Sequence, residues 1–144
     1  VMGINARMLV LDEPTLGLDI IYRTEFYDQL MNEYFDHQRS ILITTHQIEE
    51  IEHILTDIMI IDKGKIVINM PIDDIGIHFT QLKTAKESAE QARKLNPVFE
   101  KDLLDQAVMI FEDIDVERLK EFGEVSTPHL AELFVAAIKG THHG

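Results

Sequence analysis

Runs of apolar residues separated by short polar breaks divide the first part of the chain into two strands and a helix. Met8 to Leu11 is too short an apolar run for a helix and predicts a strand buried on both faces. Ile20 to Phe35 has apolar and aromatic residues at helical spacing, and Asp19 before it can cap a helix. Ser40 to Thr45 is apolar and β-branched, which predicts a second buried strand. These elements form a βαβ unit, whose two strands run parallel.

Beyond residue 46 the pattern predicts a short helix, a hairpin and then a looser α+β segment. Gln47 to Leu55 has helical spacing, and two apolar runs flank Asp62-Lys63-Gly64-Lys65, a hairpin signal. After Pro71 we expect a strand at 78–83, a helix at 84–95, one or two helical turns at 99–104, a strand at 107–111 and a helix at 116–122. We expect a last helix with Thr127 as its cap, Pro128 in its first position and Gly140 at its end. We therefore expect an α/β domain over residues 1–70 and a smaller α+β tail over residues 71–144.

Polar side chains follow both predicted parallel strands. Asp12 and Glu13 come directly after the first strand, and His46 comes after the second. The carboxyl ends of parallel strands share one edge, where ligands bind in open α/β sheets, so two acids there could hold a metal and activate a water. The alternative is a buried strand with a solvated acidic end, and a histidine satisfied by backbone groups.

The charge of the chain narrows the choice of partner. Thirteen Lys and Arg stand against 26 Asp and Glu, a formal net charge of −13, without a basic cluster. We therefore expect no nucleic acid as a direct partner, because its phosphates must be met by positive charge. The chain has no cysteine, which excludes disulfides and thiolate sites. No apolar run approaches the roughly 20 residues that span a bilayer.

Together these motifs resemble the ATP-binding subunits of ABC transporters. Met8 to Asp12 resembles their Walker B strand, and Glu13 resembles their catalytic glutamate. Leu16 to Asp19 resembles the D-loop, and His46 resembles the switch histidine. Thr-Pro-His-Leu-Ala-Glu-Leu-Phe at 127–134 is similar to the closing helix of drug- and peptide-exporting members. The resemblance is strongest over residues 1 to about 70.

This resemblance implies an α/β fold, the C-terminal half of a P-loop NTPase domain (a RecA-like ABC ATPase) with a parallel βαβ core. The implied cofactors are ATP and Mg²⁺, with Asp12 holding the metal through water. Phosphoryl transfer depends on positioning and charge neutralisation. Glu13 is accordingly expected to orient or deprotonate the attacking water, and His46 to contact the γ-phosphate or that water. Asp19 is expected to face a second copy of the domain and couple the two sites.

Two other motifs of the same family are missing from this sequence. The P-loop, Gly-x-x-x-x-Gly-Lys-Ser/Thr, would hold the phosphates. The only Gly-Lys pair, Gly64-Lys65, is followed by Ile66 and has Met59 where the first glycine belongs. The Leu-Ser-Gly-Gly-Gln signature is also absent, and Val1 to Ala6 resembles the end of the helix that follows it. We therefore expect a C-terminal fragment that is inactive alone and has no useful affinity for MgATP.

The resemblance also implies partners and a location. The expected partners are a second ATP-binding subunit, identical or different, and a membrane permease, with the protein cytoplasmic and peripheral to the cell membrane. Without the P-loop strand, the apolar strand at Ile41 to Thr45 becomes an open edge, so the isolated chain is expected to self-associate there or to cover that strand with a tail strand.

Three functions follow from these observations. The leading one is the ATP-hydrolysing subunit of an ABC transporter, powering export through a permease. The second is a soluble ABC ATPase in DNA repair or translation, disfavoured by the acidic charge and the lack of a coiled-coil flank. The third is non-catalytic: residues 71–144 would act as a regulatory or dimerising tail, unless they pack against the sheet domain.

Overall fold

A computed structural model describes residues 7–36 and 38–140. Residue contacts divide the chain into two compact units, Val1–Ile54 and Leu55–Gly144. The hairpin that we expected with the first 70 residues therefore belongs to the second unit. The domain boundary expected at residue 70 stays a prediction. The helix end expected at Val1 to Ala6 lies outside the described residues.

The first unit contains two strands and two helices. Their bounds are β1 Met8–Asp12, α1 Ile20–Glu33, β2 Ser40–Thr44 and α2 Ile48–Ile51, which continues as a 3₁₀ turn over Glu52–Ile54. β1 and β2 pair in parallel, from Met8 opposite Ser40 to Asp12 opposite Thr44. The face of α1 that is buried contains Tyr27 and Leu30, and it continues at Tyr34 just beyond the helix.

The two strands of the first unit are not buried on both faces, so that prediction is wrong. Exposed and half-buried residues alternate along each strand. Met8, Val10 and Leu42 expose 58%, 59% and 52% of their surface. Successive residues of a strand point to opposite faces, so one face of this pair is left uncovered. The apolar composition suits a sheet covered on both sides, but the residues that the structure describes cover only one side of this strand pair.

The second unit begins with a hairpin and continues into a larger sheet. Its elements are β3 Asp57–Asp62, β4 Lys65–Pro71, α3 Ile75–His78, β5 Phe79–Ala85, α4 Lys86–Arg93, β6 Phe99–Leu103, β7 Gln106–Glu112, α5 Val116–Lys120, β8 Gly123–Ser126 and α6 Leu130–Gly140. β3 and β4 pair antiparallel as predicted. Lys63 and Gly64 form the turn with φ of +50° and +77°. Gly64 is therefore the left-handed glycine that the hairpin signal implies.

Residues 79–126 form a βαββαβ module. Its antiparallel sheet has the strand order β6-β7-β5-β8, the arrangement of ferredoxin-like folds. The helices α4 and α5 contribute Ala89, Ala92 and Leu119 to a core completed by strand residues such as Leu82 and Met109. Helix α6 packs on the hairpin and on β6. The second unit thus has a hydrophobic core of its own, and the mixed α/β class of the whole chain is confirmed.

Three predictions for the tail need correction. Residues 99–104 are not helical, because β6 occupies Phe99–Leu103 and pairs with β7. Only the first two residues of β6 are even partly buried, so its sequence carries little of the alternation that marks a strand. The strand β8, Gly123–Ser126, was not predicted, because it has four residues and starts with a glycine. Helix α6 begins at Leu130 rather than at Pro128.

The start of α1 is fixed by Asp19, as the sequence predicts. Asp19 Oδ1 accepts hydrogen bonds from the backbone N–H groups of Ile21 and Tyr22, at 3.1 and 3.2 Å. The backbone of Asp19 is extended, with φ −75° and ψ 170°, as is usual for a residue that caps a helix. The turn before α1 is therefore attached to the helix by this side chain.

We expect the substitution Asp19→Ala to lower the free energy of unfolding of the first unit by about 0.5–2 kcal/mol, because the cap is lost. Asp19→Asn is the matched control, since an asparagine side chain also caps helices. The three tyrosines are Tyr22, Tyr27 and Tyr34, and the chain has no tryptophan, so tyrosine fluorescence during urea denaturation reports on α1. An Asn variant as unstable as the Ala variant would contradict the capping role.

We expect Gly123→Ala to destabilise the second unit by about 1–3 kcal/mol through overpacking. A Cβ at residue 123 would lie 2.2 Å from the backbone carbonyl oxygen of Lys83, so the β5–β8 pair would have to shift. Glu124→Ala, a change at an exposed neighbour in β8, is the control. Urea denaturation followed by circular dichroism measures both variants. Equal stability of Gly123→Ala and the unsubstituted chain would show that β8 moves freely.

Candidate functional site

The carboxyl ends of β1 and β2 bring together the polar residues singled out in the sequence. Asp12 lies opposite Thr44 in the parallel register, and the Thr44 hydroxyl donates a hydrogen bond to Asp12 Oδ1. The backbone N–H of Glu13 donates to the Thr44 carbonyl at 2.8 Å. The two strands therefore hold Asp12 and Glu13 next to the end of β2, as their parallel pairing requires.

Glu13 has a backbone conformation that side chains rarely adopt. Its φ is +44°, in the left-handed region, where a residue other than glycine is strained. Such strain persists only where the surroundings hold it, and it concentrates at functional sites. Hydrogen bonds to both its backbone and its side chain hold Glu13 in this conformation.

The carboxylate of Glu13 is held by the segment that follows β2. Glu13 Oε1 accepts the backbone N–H of His46 at 3.2 Å and lies 2.6 Å from His46 Nδ1. Glu13 Oε2 accepts the Thr45 hydroxyl at 3.4 Å. An ionised carboxylate only accepts hydrogen bonds, so Nδ1 is the protonated ring nitrogen in this pair. Glu13 and His46, chosen from the sequence, are therefore in direct contact.

The surroundings of the pair differ between its two members. The His46 side chain is 67% exposed, whereas the Glu13 side chain is 28% exposed. The alternative of a histidine satisfied by backbone groups does not hold, because its ring contacts a carboxylate. The exposed ring can reach a ligand outside the edge of the sheet, and the partly enclosed carboxylate can fix the orientation of that ring.

Asp12 has the chemistry of an outer magnesium contact. Its side chain is exposed, and its hydroxyl partner Thr44 leaves part of the carboxylate open. Magnesium in proteins usually keeps several waters and takes one or two carboxylates together with substrate phosphates. Within the described ranges, no cluster of three or more His, Asp or Glu side chains could hold a metal ion. Asp12 therefore fits Mg²⁺ only if water and phosphate supply the other ligands of the ion. The role of Asp12 stays a prediction.

The loop between β1 and α1 makes the turn that the sequence indicated. Gly17 has φ +87°, and the backbone N–H of Leu18 donates to the Thr15 carbonyl at 3.1 Å. Thr15 is buried, whereas Leu16 and Ile20 expose 67% and 73% of their surface. The turn that ends at Asp19 therefore presents apolar side chains to solvent.

Sequence reasoning missed two charged residues next to this site. Arg23 Nη1 forms an ion pair with Glu50 Oε1 at 2.7 Å, and Arg23 Nε donates to the Leu18 carbonyl at 2.6 Å. Arg23 lies in α1 and Glu50 lies in α2, four residues after His46. Their helical spacing marks both as ordinary surface positions. The pairing depends on two segments far apart in sequence, so no local signal could have found it.

Tyr27 connects the buried face of α1 to the same region. Burial raises the pKa of the Tyr27 phenol, whose oxygen has no hydrogen-bond partner among the described residues, and the carboxylates of Glu50 and Glu13 raise the pKa further. The phenol therefore stays neutral at physiological pH, and it serves packing rather than acid–base chemistry.

Comparison with known proteins shows which proteins the chain is similar to. No protein-family model matches it. It is 30% identical over 105 residues to the glycine betaine/proline betaine transport system ATP-binding protein ProV of Salmonella typhimurium, covering 63% of this chain and 26% of ProV. It is 24% identical over 129 residues to the energy-coupling factor transporter ATP-binding protein EcfA2 of Clostridium tetani, covering 88% of this chain and 45% of EcfA2.

A third relative bears on the direction of transport. The aliphatic sulfonates import ATP-binding protein SsuB of Escherichia coli O1:K1 is 30% identical over 66 residues, covering 46% of this chain and 26% of SsuB. The predicted export direction gains no support and stays a prediction. The chain spans between about a quarter and just under half the length of these relatives. All three relatives are named as transporter ATP-binding proteins, and over the matched residues this chain is similar to them.

Proposed function

We propose that this chain supplies the Walker B strand, D-loop and switch histidine of a nucleotide-binding domain that hydrolyses ATP to power an ABC transporter. The proposal includes the finer fold assignment, the C-terminal half of a P-loop NTPase domain. The observation that supports it most is the contact between Glu13 and His46, beside Asp12, at the carboxyl edge of a parallel strand pair.

Each residue has a role that its surroundings suit. Asp12 is the residue we propose to hold Mg²⁺ through water, and when bound the ion neutralises charge on the transferring phosphoryl group. A carboxylate offers about four lone-pair sites, of which Glu13 uses three. The remaining site can accept a hydrogen bond from a water, which Glu13 would orient or deprotonate. The exposed ring of His46 would contact a phosphate oxygen or that water.

The proposed partners are a second ATP-binding subunit, which the apolar turn ending at Asp19 would face, and a membrane permease at the cytoplasmic side of the membrane. The relatives' names support a transport system, and give no support to a soluble repair or translation ATPase. No helix in the described part of the chain is long and apolar enough to cross a membrane. We make no proposal on the direction of transport.

We propose that the isolated chain self-associates through the open edge of β2. In the described residues β2 pairs only with β1, and no tail strand covers it. Ile41 and Ile43 are half-buried and alternate with exposed residues along this strand. The backbone groups of its unpaired edge could pair with a second chain.

We expect no micromolar binding of MgATP to this chain alone. The sequence has no Gly-rich loop followed by Gly-Lys-Ser or Gly-Lys-Thr, so backbone N–H groups and a lysine that hold phosphates are not supplied. Isothermal titration calorimetry with MgATP measures this, with ADP and magnesium alone as controls. Saturable heat with a micromolar Kd for MgATP would contradict the proposed need for a P-loop.

We expect Glu13→Gln to lower ATP hydrolysis at least about 100-fold in a subunit that carries these residues together with a P-loop, because the amide cannot accept a proton from water. ATP binding should be kept, since Glu13 is not proposed to hold the phosphates. Phosphate release under saturating ATP measures the effect, and Asp28→Asn on the exposed side of α1 is the control. Unchanged hydrolysis by Glu13→Gln would overturn the role of Glu13.

A further inference from the structure

We infer that Arg23 is a positioning residue that couples the Gly17–Asp19 turn to His46. The functional importance of this coupling rests on the proposed function, because the turn is proposed to face a second copy and His46 is proposed to contact phosphate. The contacts that support the coupling are separate from those of the proposed catalytic residues. Among the described residues, Arg23 forms no hydrogen bond or ion pair with Asp12 or Glu13.

The first set of contacts attaches Arg23 to the turn. Arg23 Nε donates to the Leu18 carbonyl at 2.6 Å, and the Arg23 backbone N–H donates to the Asp19 carbonyl at 3.0 Å. Asp19 also caps α1 through its side chain. The turn and the first turn of α1 are therefore one connected piece, and the guanidinium moves with it.

The second contact attaches the same guanidinium to α2. Arg23 Nη1 lies 2.7 Å from Glu50 Oε1, and the two side chains are only 24% and 22% exposed. The other oxygen, Glu50 Oε2, is buried and has no hydrogen-bond partner among the described residues. Glu50 therefore depends on Arg23 for its charge balance, because an enclosed carboxylate without a partner is costly.

The start of α2 is attached to Glu13 from the other side. The backbone N–H of Gln47 donates to the Thr45 hydroxyl at 3.0 Å, and that hydroxyl donates to Glu13. The segment from Thr45 to Glu50 is thus held at one end by Glu13 and at the other end by Arg23. A displacement of the turn would move Arg23, then Glu50, and with α2 the backbone and ring of His46.

An arginine suits this position better than a lysine. Its planar guanidinium presents donors in several fixed directions, so one group serves the Leu18 carbonyl and the Glu50 carboxylate together. A lysine ammonium is a compact charge on a flexible stem and does not fix two acceptors in one geometry. Arg23→Lys should therefore keep the charge and lose the coupling.

The test is hydrogen exchange, measured by NMR on the full chain without nucleotide. The readout is the backbone N–H of His46, which donates to Glu13, compared with helical N–H groups of α1 such as that of Leu30. We expect Arg23→Gln to speed exchange at His46 about tenfold relative to Leu30, as when a charge-assisted hydrogen bond is lost. Thr24→Ala, at an exposed neighbour in α1 that bonds only within its own helix, should leave the ratio unchanged.

Further variants separate positioning from simple stability. Glu50→Gln should speed exchange at His46 as much as Arg23→Gln does. The double variant should exchange no faster than either single variant, because both substitutions remove the same connection. Should Arg23→Gln not fold, Arg23→Lys provides the same comparison, with a rise of at least about threefold expected at His46. Equal acceleration at His46 and Leu30, additive effects, or an unchanged ratio would each overturn the inference. None of these outcomes depends on nucleotide, so they are distinguishable from failure of the proposed function, which Glu13→Gln tests by hydrolysis.

Discussion

The contact between the Glu13 carboxylate and the segment that follows β2 is the constraint on which the first unit depends. The parallel register sets Asp12 opposite Thr44, so the next residues of both segments meet at one edge. Glu13 accepts three hydrogen bonds there and is held at a φ of +44°. Its strain is offset by contacts that also fix His46, so the backbone and the proposed chemistry are parts of one arrangement.

The second unit is built on a different principle. Its βαββαβ module closes a core between the sheet and two helices, with Leu82, Met109 and Leu119 fully buried. Its ion pairs, such as Arg93 with Glu100 at 2.6 Å, lie at the surface. The Glu100 carboxylate raises the pKa of Arg93 by hydrogen bonding. These features give the second unit a hydrophobic core of its own, as a separate small domain requires.

Most elements could be predicted where local pattern and tertiary pairing agree. β1, α1 and β2 follow from apolar runs and helical spacing. Asp19 has the conformation of a helix cap, and Gly64 has the left-handed turn conformation that glycine adopts because it has no Cβ. β6 could not be predicted, because it is an exposed edge strand whose conformation is set by pairing with β7. β8 is too short for a pattern to form. Burial of β1 and β2 was overestimated, because composition cannot show which faces a chain is able to cover.

The sequence by itself determined which residues are candidates for the proposed chemistry. The sequence alone identifies Asp12, Glu13, Asp19 and His46, because acids, a capping residue and a histidine follow apolar runs in a fixed order. Only the tertiary structure decided which of them touch. The Glu13–His46 contact and the Arg23–Glu50 ion pair each join segments distant in sequence. Their physical reason is the parallel alignment of β1 and β2, which brings these segments within hydrogen-bonding distance.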